Sequence, residues 1–155
     1  MKLQKYELKM GKLLKTFEFI SEGRKGKILK FIKFEKTGIK NVYNLLFGDK
    51  NSKHIDDYVV SNNGDAEKVL ATVAEAIVSF TNRYPSSWIY AEGSSRARTR
   101  LYQMGINRHL SEILETFEVF GLKDNEWQKF KKESAYDAFL VTRKQVILKH
   151  EENSI

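Results

Sequence analysis

The sequence predicts an α+β fold, with an N-terminal antiparallel β-meander covered by helices in the approximate order βββ(β)αβααββ. Three observations predict it. Apolar and polar residues alternate with period two early in the chain, through Tyr6, Leu8 and Met10 and again through Phe17 and Phe19, as half-buried strands require. The period then becomes three and four over Val69, Leu70, Val73, Ala76, Ile77 and Phe80, which fall on one stripe of a helix. Beyond that helix, short apolar runs alternate with further helical patterns, so strands and helices mix within one core.

Taken in order, the two alternating segments are the first strands. Gly23-Arg24-Lys25-Gly26 has the composition of a hairpin turn, with glycines that permit positive φ at both ends. Residues 28–34 form the next strand, Thr37-Gly38 turns the chain, and residues 42–47 return it. A polar loop carrying His54, Asp56 and Asp57 runs from Gly48 to Gly64, and Asn62-Asn63-Gly64-Asp65 supplies capping residues for the first helix, which Pro85 ends. Residues 88–91 are a short strand, and Ser94 or Ser95 caps a second helix with Ala97, Leu101 and Met104 inward. Gly105 is expected to stop that helix in the left-handed conformation, with Ile106 packing back on Leu101. A third helix is expected from Asn107, with Leu110, Ile113, Leu114 and Phe117 inward. A strand over 119–122, a polar stretch around Trp127 and a last strand over 138–141 follow, and the tail 144–155 is expected to fray. One proline, nine scattered glycines and no low-complexity segment mark no linker, so 1–155 reads as a single domain.

Composition narrows the function. A chain of 155 residues buries about two thirds of its unfolded surface without staples. The absence of cysteine excludes disulfides, thiolate catalysis and thiolate metal sites, and points to the cytoplasm. The N-terminal segment lacks an apolar run of signal-peptide length and no stretch approaches a membrane span, so neither export nor insertion is expected. The net charge of +7 is concentrated in residues 1–36, which hold eleven Lys/Arg against four Asp/Glu. Such asymmetry suggests an acidic partner, nucleic acid above all, although lysines also guard sheet edges and keep surfaces soluble.

Residues 91–100 run from a strand through small residues into a helix start. Backbone N–H groups, the hydroxyls of Ser94 and Ser95 and the positive end of the helix converge there, as an anion site requires. Arg96, Arg98 and Arg100 oppose the helix dipole unless an anion compensates them, or unless Glu92 or another carboxylate pairs with them. Arg96 and Arg100 share a face, and Arg98 points about 160° away, so one ligand meets two of the three. The candidate ligand-binding set is therefore Glu92, Gly93, Ser94, Ser95, Arg96, Arg98 and Arg100, joined by Arg24, Lys25 and Lys27 of the basic meander. The function expected is a non-enzymatic binding module for a phosphate-bearing ligand, most plausibly nucleic acid, with no cofactor and no metal.

Two alternatives stand beside it. The element order is compatible with a ribonuclease-H-like fold, and a metal-dependent nuclease would draw its carboxylates from Glu18 or Glu22, Glu67 or Glu75, Glu92, and Asp49 or Asp57. A protein-interaction component would instead meet an acidic partner on its basic face. His54, His109 and His150 have no ligand spacing, and Glu112 and Glu115 oppose a helix-turn-helix reading around Gly105. Phe17, Phe19, Phe31 and Phe34 are candidates for stacking on single-stranded nucleic acid if they lie on an open face.

Several segments also carry a resemblance: Phe19-Ile20-Ser21-Glu22-Gly23 with Gly26-Lys27-Ile28, Tyr43-Asn44-Leu45 with Phe47-Gly48-Asp49, Asn62-Asn63-Gly64-Asp65 with Val69-Leu70-Ala71-Thr72-Val73-Ala74, and Gly93-Ser94-Ser95 with Ala97-Arg98-Thr99-Arg100-Leu101-Tyr102. In these the chain resembles an uncharacterised family, a domain of unknown function, of small bacterial proteins mostly from the Bacteroidota. The resemblance implies a cytosolic bacterial single domain and brings no activity, cofactor or catalytic residue with it.

Overall fold

The computed structural model describes residues 4–50, 55–56 and 63–145. Among the described residues nine strands and three α-helices, besides a 3-10 turn at Lys12–Leu14, follow in the order β1 Lys9–Met10, β2 Thr16–Gly23, β3 Gly26–Lys36, β4 Val42–Lys50, β5 Ile55–Asp56, α1 Ala66–Arg83, β6 Trp88–Ala91, α2 Arg96–Arg108, α3 Leu110–Ile113, β7 Phe117–Lys123, β8 Glu126–Lys129 and β9 Ala138–Arg143. The strands make one sheet in the order β1-β2-β3-β4-β6-β9-β7-β8, with β5 pairing β4. All neighbours are antiparallel except β4 and β6, which α1 joins as the crossover that a parallel pair needs. The α+β expectation holds; a ribonuclease-H-like arrangement is not confirmed.

Register decides which side chains share a face. Phe17 opposes Ile32, Ile32 opposes Phe47, Tyr43 opposes Ile89, Ile89 opposes Val141, and Val141 opposes Val119. These residues line the face that the helices cover. The α1 stripe of Val69, Val73, Ala76 and Phe80 is buried against it, with Phe80 stacked on Phe34 at 4.3 Å between ring centroids. Burying each large side chain of this cluster contributes about 1.5–3 kcal/mol. A second cluster of Val119, Phe130, Tyr136 and Phe139 receives Tyr102 and Ile106 of α2 and Leu110 and Ile113 from α3.

Phe17, Phe19, Phe31 and Phe34 are all buried, which removes them as an exposed stacking platform. The first predicted strand shrinks to Lys9–Met10, because Tyr6 crosses α1 and its N–H donates to Thr72 Oγ1 at 2.9 Å rather than to a ladder. Of the two turn glycines, only Gly26 has positive φ; Gly23 instead lies so close to Asn63 that a Cβ would not fit. Gly105 does not stop α2, which continues to Arg108, and α3 begins at Leu110 rather than Asn107. The reason is packing: a Cβ on Gly105 would lie 3.2 Å from Leu70 Cδ1, so this glycine brings two helices together. Ala97, Leu101, Met104 and Leu114 are exposed, and Ile106 packs on the second cluster instead of on Leu101. The polar stretch around Trp127 is strand β8, reached through a hairpin in which Asp124 and Asn125 both have positive φ. Lys144 N–H still donates to the Thr116 carbonyl at 2.9 Å, whereas residues 146–155 of the predicted tail, with His54, Asp57, Asn62 and His150, lie outside the described residues.

Candidate anion-binding end of the sheet

Strand direction sets where the turns and helix starts lie. β2 finishes and β3 begins at the hairpin, with Gly23 opposite Gly26 across Arg24-Lys25. β4 runs toward that end, since Lys30 opposes Asp49, and β6 runs the same way but ends at Ala91, one step past the Asn44–Tyr90 pair and so level with Leu45 and Phe34, well short of the hairpin. α1 starts beside the hairpin, where Asp65 accepts from Ser21, whereas α2 starts beyond β6 and runs toward the start of α1, where Arg108 pairs with Glu67. Each helix presents the positive end of its dipole at its own start.

Asn63 ties the hairpin to α1. Its Oδ1 accepts from Lys25 N–H at 2.6 Å, its Nδ2 donates to the Gly26 carbonyl at 2.9 Å, and its own carbonyl accepts from Arg24 N–H. Asp65, at the N-cap of α1, makes no capping bond with its side chain. Its carboxylate accepts from Tyr6 Oη–H at 2.5 Å and Ser21 Oγ–H at 2.6 Å. Burial first, and then this bond to Asp65, raise the pKa of the Tyr6 phenol. Sequence reasoning assigned Asn63 to capping; its role as a hairpin clamp emerges only in three dimensions.

At α2, Ser95 is the cap. Its backbone is extended and its Oγ accepts from Arg98 N–H at 3.2 Å. Thr99 Oγ1 accepts from Gly93 N–H at 3.0 Å, and a Cβ on Gly93 would collide with the helix, so the turn is held tightly on the first turn of α2. The Ser95 hydroxyl and Gly93 N–H thus serve the turn itself. Arg98 is turned inward and buried, donating to the Phe47 carbonyl at 3.1 Å with its guanidinium 5.4 Å from the Phe47 ring centroid. Ser94, Arg96 and Arg100 remain exposed. Glu92 pairs with no arginine among the described residues; it accepts from Tyr90 Oη–H at 2.8 Å. Burial first, and then that carboxylate, push the Tyr90 pKa up to about 12.

Part of the meander's charge is spent locally. Lys50 pairs with Glu18 at 2.5 Å, Lys33 with Glu35 at 3.4 Å, Lys27 with Glu22 at 3.8 Å, and buried Lys30 with Asp49 at 2.5 Å. Arg24 and Lys25 on the hairpin turn and Arg96 and Arg100 on α2 are exposed and form no ion pair among the described residues. The carboxylates considered for a nuclease are engaged elsewhere: Glu67 pairs with Arg108 and Glu75 with Lys5, besides the pairs of Glu18, Glu22 and Asp49 above. Among the described residues no three His, Asp or Glu side chains converge to hold a metal ion, and His109 lies between α2 and α3. No helix of the described residues is long and apolar enough to cross a membrane.

By fold and site this is an α+β protein with one mixed sheet, helices on one face, and exposed cations on the β2–β3 turn and at the start of α2. The chain belongs to the Family of unknown function (DUF6934), whose family model matches residues 2–144. No curated protein and no solved structure matches it.

Proposed function

We propose that the protein is a binding module for a phosphate-bearing ligand, nucleic acid in the first place, engaged at the start of α2 by Ser94, Arg96 and Arg100, with Arg24 and Lys25 of the β2–β3 turn as further cations along the surface. One observation carries the reading. Arg96 and Arg100 are exposed on the first turns of α2, whose start holds no acidic residue, and they form no ion pair among the described residues, as is also true of Arg24 and Lys25 on the hairpin turn. Exposed helix N–H groups and dipoles favour an anion, and guanidinium groups bind phosphate through paired N–H donors. Ligands of open sheets with parallel strands bind outside the carboxyl ends of those strands, and α2 starts just past the carboxyl end of β6. Ser95, Thr99 and Arg98 act indirectly by holding the turn in place. The reading suits a cytoplasmic bacterial protein: the chain has no cysteine, and the resemblance noted above is to bacterial proteins.

Fluorescence anisotropy with labelled single-stranded and duplex oligonucleotides, repeated across salt concentrations, tests this. Neutralising about three phosphates gives a log–log slope of about −2.7 on duplex and about −2.1 on single strands. The double variant Arg96→Glu, Arg100→Glu should flatten the slope and weaken binding at low salt. A flat titration of the native protein, or an unchanged slope in the variant, would overturn the reading.

A further inference from the structure

We propose that the open face of the sheet is the interface of a homodimer, in which two copies of the chain pack face to face around Trp88, Tyr90, Phe120 and Trp127. Register places these rings together. Trp88 and Tyr90 flank Ile89 and so lie on the face opposite to the helix-covered one. Leu140 opposite Tyr90, Phe120 opposite Leu140, and Trp127 opposite Leu122 share that face. The Trp88 and Phe120 ring centroids are 5.8 Å apart and those of Tyr90 and Trp127 6.0 Å, which ties β6 to β7 and β8 over β9.

A sheet with one solvated face ordinarily alternates apolar residues inward with polar residues outward. β2 and β3 keep to that rule in part, with Glu18, Glu22, Lys27 and Lys33 outward. On β6, β9, β7 and β8 only Glu118 and Lys129 carry charge on the open face. The helices give it no cover, because α1, α2 and α3 reach the two cores on the other side. Trp127 is 42 % exposed, and on the same face Ile20 and Leu29, opposite each other, are 48 % and 37 % exposed. A sheet that is apolar on both faces needs a layer on each.

Charge and area select a second copy as that layer. In a chain of net charge +7, the aromatic part of the face holds one acid and one base, and Glu92, bonded to Tyr90, adds a carboxylate at its rim. A polyanion finds no excess of cations there, so the face does not extend the phosphate site and the inference does not rest on that reading. Two copies meet on it without opposing their positive excess. With strands about 4.8 Å apart and residues rising about 3.4 Å, the seven strands from β2 to β8 in sheet order present a plane of roughly 700 Å², close to the roughly 800 Å² per partner that stable interfaces bury. Across a two-fold axis the same patch meets itself, and aromatic residues with few charges suit the centre of such an interface.

Sedimentation equilibrium of the full chain tests the pairing, read together with tryptophan emission, because Trp88 and Trp127 are the chain's two tryptophans and both lie on this face. The expected mass at micromolar concentration is twice 18.1 kDa, and dilution should shift the emission to the red with the same midpoint as the fall in mass. Trp127→Glu and Phe120→Lys each put like charges on both halves of the interface, and each should raise the dissociation constant at least about tenfold with unchanged circular dichroism. Trp127 is exposed on an edge strand, so its replacement keeps the test open even where Phe120→Lys fails to fold. Leu101→Glu, in the apolar cleft between α1 and α2 that Ile77 also lines, should leave the mass unchanged. Arg96→Glu should weaken oligonucleotide binding without changing the mass, so the two readings fail separately. A monomer at every concentration, a dimer whose emission ignores dilution, a dimer that survives Trp127→Glu unweakened, or one lost in Leu101→Glu would overturn the proposal. Loss of oligonucleotide binding on Trp127→Glu in a protein that is monomeric throughout would overturn it too, and would assign the face to nucleic acid.

Discussion

Arg98→Ala is expected to unfold at a clearly lower denaturant concentration than Arg96→Ala or Arg100→Ala, although the three side chains share two turns of one helix. Arg98 donates from a buried guanidinium to the Phe47 carbonyl and packs over the Phe47 ring. A hydrogen bond from a charged donor contributes about 1.5–3 kcal/mol, and a desolvated cation–π contact about 0.5–2 kcal/mol. Against that, removing a cation from a helix start regains about 0.3–1 kcal/mol. The net expectation is a loss of about 2–4 kcal/mol, a shift of about 1–2 M in the urea midpoint for a typical slope near 2 kcal/mol per M. Arg96 and Arg100 are exposed and form no ion pair among the described residues, so their removal should leave stability unchanged or slightly raised. In the binding assay the proposed function inverts the order: removing each exposed arginine should reduce the salt slope by about one, the effect of losing one phosphate contact. Urea denaturation of the three variants would refute the reasoning if Arg98→Ala lost less than about 1 kcal/mol while Arg96→Ala or Arg100→Ala lost about 3 kcal/mol or more, the cost of stranding a buried carboxylate.

Three further outcomes follow from the same packing. Lys30→Ala leaves Asp49 in a largely buried place without its 2.5 Å partner, and should cost about 3–5 kcal/mol in equilibrium denaturation. Phe80→Ala removes a fully buried ring packed on Phe34 and Tyr43 and should cost about 3–5 kcal/mol, whereas Ile77→Ala, at a half-buried position lining the cleft, should cost less. Tyr90 ionises at about 12 against 10.0 for a free tyrosine, so its contribution to stability is complete below about pH 10 and is lost as pH rises through about 12. Absorbance titration of tyrosinate should show that Glu92→Gln lowers this value, and no change would count against the Tyr90–Glu92 bond.

The meander, the α1 stripe, strand β6 and the last strand were legible in the chain because each is written as a local period of two or of three to four. The position of the turn before α2 was legible for the same reason, since Gly93-Ser94-Ser95 announces a helix start whatever surrounds it. Gly105 was not legible: a glycine at a left-handed helix end and one at a close helix contact look identical in sequence, and only the position of Leu70 distinguishes them. Likewise the pattern placed Leu101 and Met104 inward, but a periodic stripe states which residues share a face and not whether a neighbour covers it. Lys30 was only one of the basic residues of 1–36, and Arg98 a candidate ligand-binding residue turned away from Arg96 and Arg100, until register set Lys30 beside Asp49 and the fold set Arg98 against Phe47. By itself, then, the sequence determined the elements and the chemistry available in each turn. Tertiary structure alone decided that Asn63 clamps the Arg24-Lys25 turn beside the start of α1 and that β6 lies parallel to β4 ahead of α2, because both depend on contacts between segments far apart along the chain.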